Sequence, residues 1–88
     1  MLEKMIERYL KKQVEARGGL TWKIAFVGRR GCPDRLVVLN REVWLVELKR
    51  PRGGVLSKLQ IRTIAEMQRL GMKVIVISSK EEVDAWLS

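Results

Sequence analysis

The sequence predicts an α/β domain in the order αβββαβα, with a mixed four-stranded sheet flanked by helices. Three observations carry this reading. Apolar residues recur at helical spacing near the amino terminus, three short β-rich runs separated by turn residues follow, and a helical pattern then separates the third run from a fourth. The first three runs form an antiparallel meander, and a strand, helix and strand in succession imply a right-handed crossover. The fourth strand should therefore run parallel to one of the others. With 88 residues the chain has room for one compact unit, residues 1–88, with one modest core.

Leu2, Met5, Ile6, Tyr9, Leu10 and Val14 lie on one helical stripe, which ends at Gly18-Gly19. At about 100° per residue, Glu3 falls at the edge of that stripe and Glu7 further round toward solvent. Glu3 is thus the better placed acid to look inward. Leu20 to Val27 is rich in β-branched and aromatic residues and closes at Gly28, reading as the first strand. After the basic loop Arg29-Arg30-Gly31, Pro33-Asp34 opens a second strand from Arg35 to Asn40. The polar turn Asn40-Arg41-Glu42 leads into a third, Val43 to Lys49, broken by Pro51 and Gly53-Gly54. Ser57 with Gln60 forms a capping box for a helix that runs to Leu70 and closes at Gly71. Met72 to Ile77 reads as a buried strand, and Ser79 with Glu82 caps a short last helix to about Leu87.

Composition narrows the chemistry. Hydrophobic residues at 47% and charged residues at 32% give a globular balance, unlike that of disordered segments. The 18 Lys and Arg exceed the 10 Asp and Glu, a formal charge of +8, so a polyanionic partner is expected. Nucleic acid is favoured because phosphate neutralisation by Lys and Arg supplies most non-specific affinity. No apolar run approaches the roughly 20 residues of a spanning helix, and no secretory signal pattern opens the chain. The expected location is the cytoplasm, the host's if the source is viral. One cysteine, Cys32, cannot close an intramolecular disulfide, and without histidine the usual zinc sites and imidazole-based nucleophilic schemes cannot be built. Chemistry here must rest on carboxylates and lysines.

Alternate residues of a strand share a face, so Glu47 and Lys49 project together while Leu48 points away. Asp34, at the entry to the neighbouring strand, can come near Glu47 if the hairpin register is right. Two carboxylates could then share one hard cation such as magnesium, which takes oxygen ligands and keeps several waters. The Lys49 ammonium would orient an attacking water and offset charge developing on a phosphate, and Glu3 could hold a second ion or orient water. Against this, acids at strand ends are commonly solvated, and a Glu-x-Lys pair is often a surface ion pair worth under about 1 kcal/mol. The Glu47 face also carries Val43 and Leu45, which implies that a helix covers it, and a charged pair there needs a reason.

Gln60 serves the capping box but lies on the same side of its helix as Ile64 and Met67, where a polar amide must find a partner. Capping and a role orienting water or phosphate are weighed equally. Arg29, Arg30, Arg50, Arg52 and Lys58 fall in the two loops beside the acids; solvated loop charge and a track for a phosphate backbone both fit them. Trp22, Trp44 and Trp86 are expected in the core or at an interface, and Cys32 in packing.

GCPDRLVV (31–38), VELKRP (46–51) and GVLSKLQ (54–60), in that order, resemble the PD-(D/E)xK nuclease superfamily and, within it, the virus-type replication-repair nuclease (VRR-NUC) domain. The resemblance covers nearly the whole chain. It implies a restriction-endonuclease-like fold in which Asp34, Glu47 and the carbonyl of Leu48 bind magnesium or manganese, and Lys49 and Gln60 complete the site. The family's first helix contributes an acid, which EKMIERYL (3–10) matches with Glu3, or failing that Glu7. Family members occur as stand-alone proteins of viruses and phages and as domains of repair enzymes acting on branched or flapped DNA, and this chain resembles the stand-alone form. A two-fold homodimer presenting two sites to a four-way junction is the expected assembly by analogy. Two other readings fit the same composition. One is a basic nucleic-acid-binding module that keeps the fold without cutting; the other is a protein-interaction subunit using its Trp and Leu surface.

Overall fold

The apolar pattern resolves into three layers in the computed structural model, which describes residues 2–50 and 53–88. Helices α1 (Glu3–Ala16) and α3 (Lys80–Leu87) cover one face of a sheet built from β1 (Leu20–Lys23), β2 (Arg35–Leu39), β3 (Glu42–Leu48) and β4 (Val74–Ile77). Helix α2 (Lys58–Arg69) covers the other face. The strands lie in the order β1-β2-β3-β4, antiparallel through β3 and parallel between β3 and β4. This is the expected mixed sheet in the expected order.

Strand alternation sorts the core. Val46 and Leu48 of β3 point toward α1 and α3, joining Ile6, Leu10, Val14, Val37, Ile77 and Val83 in the main cluster. Full burial of such side chains stabilises by about 1.5–3 kcal/mol each. Leu45 points the other way, to a smaller cluster with Ile64 of α2 and Val74 of β4. Among the described residues no helix is long and apolar enough to cross a membrane.

The β2–β3 register depends on a two-residue hairpin. Leu39 pairs with Glu42, and Asn40 and Arg41 between them both take positive φ, 53° and 65°. That is the type I′ turn, whose twist matches the strands it joins. Helix α2 ends in a Schellman motif: the Gly71 N–H donates to the Gln68 carbonyl and the Met72 N–H to the Met67 carbonyl. Gly71, at φ 99°, supplies the left-handed residue this needs. Met72 is therefore spent on the cap, and β4 begins at Val74 instead of Met72.

The largest departure from expectation is β1, which stops at Lys23 well short of Val27. Its partner explains this, because Lys23 pairs with Arg35, the first residue of β2. The Ile24 N–H still reaches the Asp34 carbonyl at 2.8 Å, but Pro33 has no N–H to continue the ladder. A turn closed by the Arg29 N–H on the Phe26 carbonyl then carries the chain away. Ile24 and Phe26 pack instead against the Leu45 and Ile64 cluster.

Candidate active site

Glu47 lies on the α2 face of β3, one alternate position beyond Leu45, and is only 6% exposed. Its Oε2 accepts a hydrogen bond from Gln60 Nε2 at 3.2 Å and lies 3.4 Å from Lys49 Nζ. The Lys49 backbone N–H donates to the Ile77 carbonyl, so its strand geometry persists past the end of β3. Gln60 caps its helix and meets Glu47 at the same time. Its backbone N–H donates to Ser57 Oγ at 3.0 Å, and its side-chain Oε1 accepts from the Ser57 N–H at 2.9 Å. The capping box therefore fixes which way the amide faces, leaving Nε2 to meet the carboxylate.

Asp34 is exposed and sits just before β2. The last β2–β3 pair there is Arg35 with Val46, so the register carried one step further sets Asp34 opposite Glu47 on the same face. Electrostatics agree with this placement. The Glu47 carboxyl is raised above its ordinary value, first by burial and then by the negative charge of Asp34, with a smaller push from Glu3. Lys49 pulls it the other way, through its charge and its hydrogen bond, without cancelling the rise. Burial, the first cause, together with the neighbouring acids therefore outweighs what Lys49 supplies.

A divalent cation beside these two carboxylates would offset the charge of both. The Leu48–Lys49 peptide is trans and its N–H points to β4, so the Leu48 carbonyl points toward β2. Carrying the register two steps past Arg35 puts Pro33 opposite Leu48, and proline has no N–H to give that oxygen. Asp34, Glu47 and a carbonyl without a β2 ladder donor form a hard oxygen set. Among the described residues no three His, Cys, Asp or Glu side chains already converge as a metal cluster. Such a set would leave part of an ion's coordination to water and phosphate, as suits magnesium.

The two candidate acids of α1 separate. Glu3 is exposed and shares an open cleft with Lys49, Arg50 and Gly54. Glu7, expected to face solvent, instead reaches the sheet, with Oε1 2.9 Å from the guanidinium of Arg35. Arg35 is buried and also donates to Thr21 Oγ1 at 3.0 Å. This arginine pins α1 to the sheet and occupies Glu7, while Glu3, one turn earlier, stays on the cleft beside Lys49. The sequence reading assigned Arg35 no role. Its signal was its place in RLVVL on the same face as Val37, a core-facing position where a charge requires a partner.

Arg29 and Arg30 are exposed in the β1–β2 loop, Arg50 is exposed after β3, and Lys58 is exposed at the start of α2. Arg52 lies outside the described residues. Gly54 is a close-packing residue: a Cβ there would fall 2.2 Å from the Arg50 carbonyl oxygen. Trp44 and Trp86 pack edge to face with centroids 5.5 Å apart, as expected of packing residues, whereas Trp22 is exposed. Cys32 is a half-buried free thiol.

No family model matches the chain. It is 41% identical over 80 residues to the protein named "Putative nuclease p44" of Acyrthosiphon pisum secondary endosymbiont phage 1, a match covering 90% of this chain and 85% of that one. A solved structure described as "VRR_NUC domain" superposes with a TM-score of 0.88 at 35% identity, covering 97% of this chain and 92% of the other.

Proposed function

The chain belongs to the VRR-NUC family of nucleases, and we propose that it is a divalent-metal-dependent endodeoxyribonuclease acting on branched DNA such as four-way junctions or flaps. The observation that carries the metal-dependent reading is Glu47, a buried carboxylate touched by Lys49 and Gln60 and facing the charge of Asp34. Preference for branched DNA and assembly as a homodimer follow the family resemblance, with two symmetric sites suiting a junction.

Asp34, Glu47 and the Leu48 carbonyl would hold magnesium or manganese. When bound, such an ion polarises the scissile phosphate and makes hydroxide available from water near neutral pH. Gln60 holds the Glu47 carboxylate in one orientation, its own amide fixed by Ser57. Lys49, already beside that carboxylate, offers an ammonium to orient the attacking water and to offset charge developing on the phosphate. Glu3 lines the same cleft as Lys49 and serves as a further acid for orienting water or a second ion. Arg29, Arg30, Arg50 and Lys58, with Arg52, supply phosphate contacts on either side of the cut.

The test is incubation of the purified protein with labelled junction, flap, duplex and single-stranded substrates, with magnesium, manganese or chelator. Cleavage that needs metal, is strongest on a branched substrate and disappears in Asp34→Asn and Glu47→Gln is the expected result. Binding without metal-dependent cleavage on every substrate would leave a non-cutting nucleic-acid-binding module.

A further inference from the structure

Helix α1 turns a row of cations outward. Ile6, Leu10 and Val14 are buried against the sheet, so at about 100° per residue Lys4, Arg8 and Lys11 lie on the exposed side. Lys4 lines the cleft that holds Glu3 and Lys49. Arg8 and Lys11 line a second cleft, whose other wall carries Lys23 at the end of β1. One row thus leads out of the site cleft. The acid of the second cleft, Glu7, is taken up by Arg35 at 2.9 Å. Lys4, Arg8, Lys11 and Lys23 are exposed and make no ion pair with the described residues. Toward α3 the surface is mixed instead, because Asp84 stands there and accepts the Tyr9 hydroxyl at 2.6 Å.

The helix itself gains nothing from this order. Like charges three and four residues apart repel along a helix, and a cation in the first turn, as Lys4 is, faces the positive end of the helix dipole. Glu15, the next acid on that side, lies a full turn beyond Lys11. A helix face with no partner but water is better served by acids set four residues before bases. The row stands against local preference, as is expected where a surface serves a function.

We propose that Lys4, Arg8, Lys11 and Lys23 hold the sugar-phosphate backbone of a duplex arm that leaves the cutting site along α1. Lys4 and Lys11 are seven residues apart, about 10 Å at 1.5 Å per residue. Over that length one strand of a duplex presents about three phosphates. The second cleft offers charge and no ring: Trp22 pairs with Leu36 on the α2 face of the sheet, whereas Lys23 pairs with Arg35 on the α1 face. Contacts to phosphate alone carry no sequence information and suit paired strands, whose bases are turned inward. An acidic protein would also meet these cations, but the row is continuous with the cleft of Glu3 and Lys49 and so belongs to whatever enters that cleft. This inference rests on the nuclease reading for taking DNA as the ligand, and it adds a track on α1 to the loop arginines already assigned.

Fluorescence polarisation of a labelled duplex over a salt series, with chelator present, tests the track. Arg8→Gln and Lys11→Gln should each lower the slope of log affinity against log salt by about 0.9, which is about eightfold weaker binding at 0.1 M salt. The double variant should lose about twice the slope. Arg8→Lys should keep it, because the charge stays. Arg69→Gln, at the end of α2 in the other layer, removes the same net charge and should change the slope far less. Unchanged unfolding midpoints keep these results separate from misfolding. Unchanged slopes in Arg8→Gln and Lys11→Gln, or an equal fall in Arg69→Gln, overturn the proposal. So does sedimentation showing that Lys11→Gln dissociates a dimer whose loss accounts for the weaker binding, because a second copy would then cover the row. The nuclease reading is decided apart from this. A wild type that cuts with metal while the variants' slopes stay put defeats only the track, and one that never cuts while the slopes fall as expected defeats only the nuclease reading.

Discussion

Arg35 and Glu47 are equally buried, at 6% exposure each, on adjacent strands and opposite faces of the sheet, yet their surroundings treat their charges differently. Arg35 meets a carboxylate at 2.9 Å and a hydroxyl at 3.0 Å, and among the described residues no other cation pairs with that carboxylate. Glu47 meets one ammonium at 3.4 Å and one amide at 3.2 Å while Asp34 and Glu3 push its carboxyl upward. One charge is compensated and joins α1 to the sheet. The other is buried beside a second carboxylate with one lysine at 3.4 Å, a setting of oxygen donors that a cation can join. Buried charge alone does not mark a functional residue; a buried acid set beside a second acid is the stronger signal.

The largest expected effect separates the two at the level of catalysis. Lys49→Ala should lower the cleavage rate about 10²- to 10³-fold, the scale for removing one group that stabilises developing charge. Nucleic-acid binding in chelator should change little, because Lys49 is assigned to the transition state and not to the ground-state complex. Rate and binding falling together would make Lys49 a phosphate-holding residue.

Arg35→Leu should lower stability by about 2 kcal/mol, less than the loss of one partner from a fully buried pair, because the abandoned Glu7 is 38% exposed and can rehydrate. Urea unfolding measures this. The metal-dependent rate should fall only as far as α1 loosens and shifts Glu3. An Arg35→Leu protein of unchanged stability would mean that the arginine is not the joint described.

The smallest effect concerns the hairpin that places both residues. Arg41 has positive φ, which a side-chain-bearing residue adopts at a cost of roughly 1–2 kcal/mol and glycine does not. Arg41→Gly should raise stability by under about 1 kcal/mol, since glycine's extra freedom in the unfolded chain offsets part of the gain. Cleavage should be unaltered. A falling rate would show that the hairpin itself meets the substrate.

Much of this was legible before any coordinates. The α1 stripe, the Ser57–Gln60 box and the polar turn after β2 are local patterns, and each became the element expected of it. The Glu47 face was legible too, since Leu45 two residues earlier demanded a covering helix. What escaped depends on register and on neighbours distant in sequence. β1 was read too long because Ile24 and Phe26 look the same whether they sit in a ladder or beneath a helix, and only the start of β2 at Arg35 decides. Glu7 was placed in solvent because nothing local announces that Arg35 arrives beneath it. Trp22 was expected in the core or at an interface, and its place on an edge strand excludes the core.

Thermal unfolding of wild type and Glu47→Gln, with chelator and then with magnesium, tests the role of this buried acid most directly. The folded-state pKa of Glu47 is raised, so its contribution to stability is fully present below the unfolded value near 4.5 and is lost as pH rises through the folded value. Glutamine does not titrate. In chelator the variant should therefore melt above wild type at pH 7, with the gap closing as pH falls toward 4. Magnesium should raise the wild-type Tm at pH 7 and leave the variant's almost unmoved. A variant that melts below wild type at pH 7 in chelator, or two proteins that respond equally to magnesium, would contradict the claim that Glu47 is held in the fold for a cation.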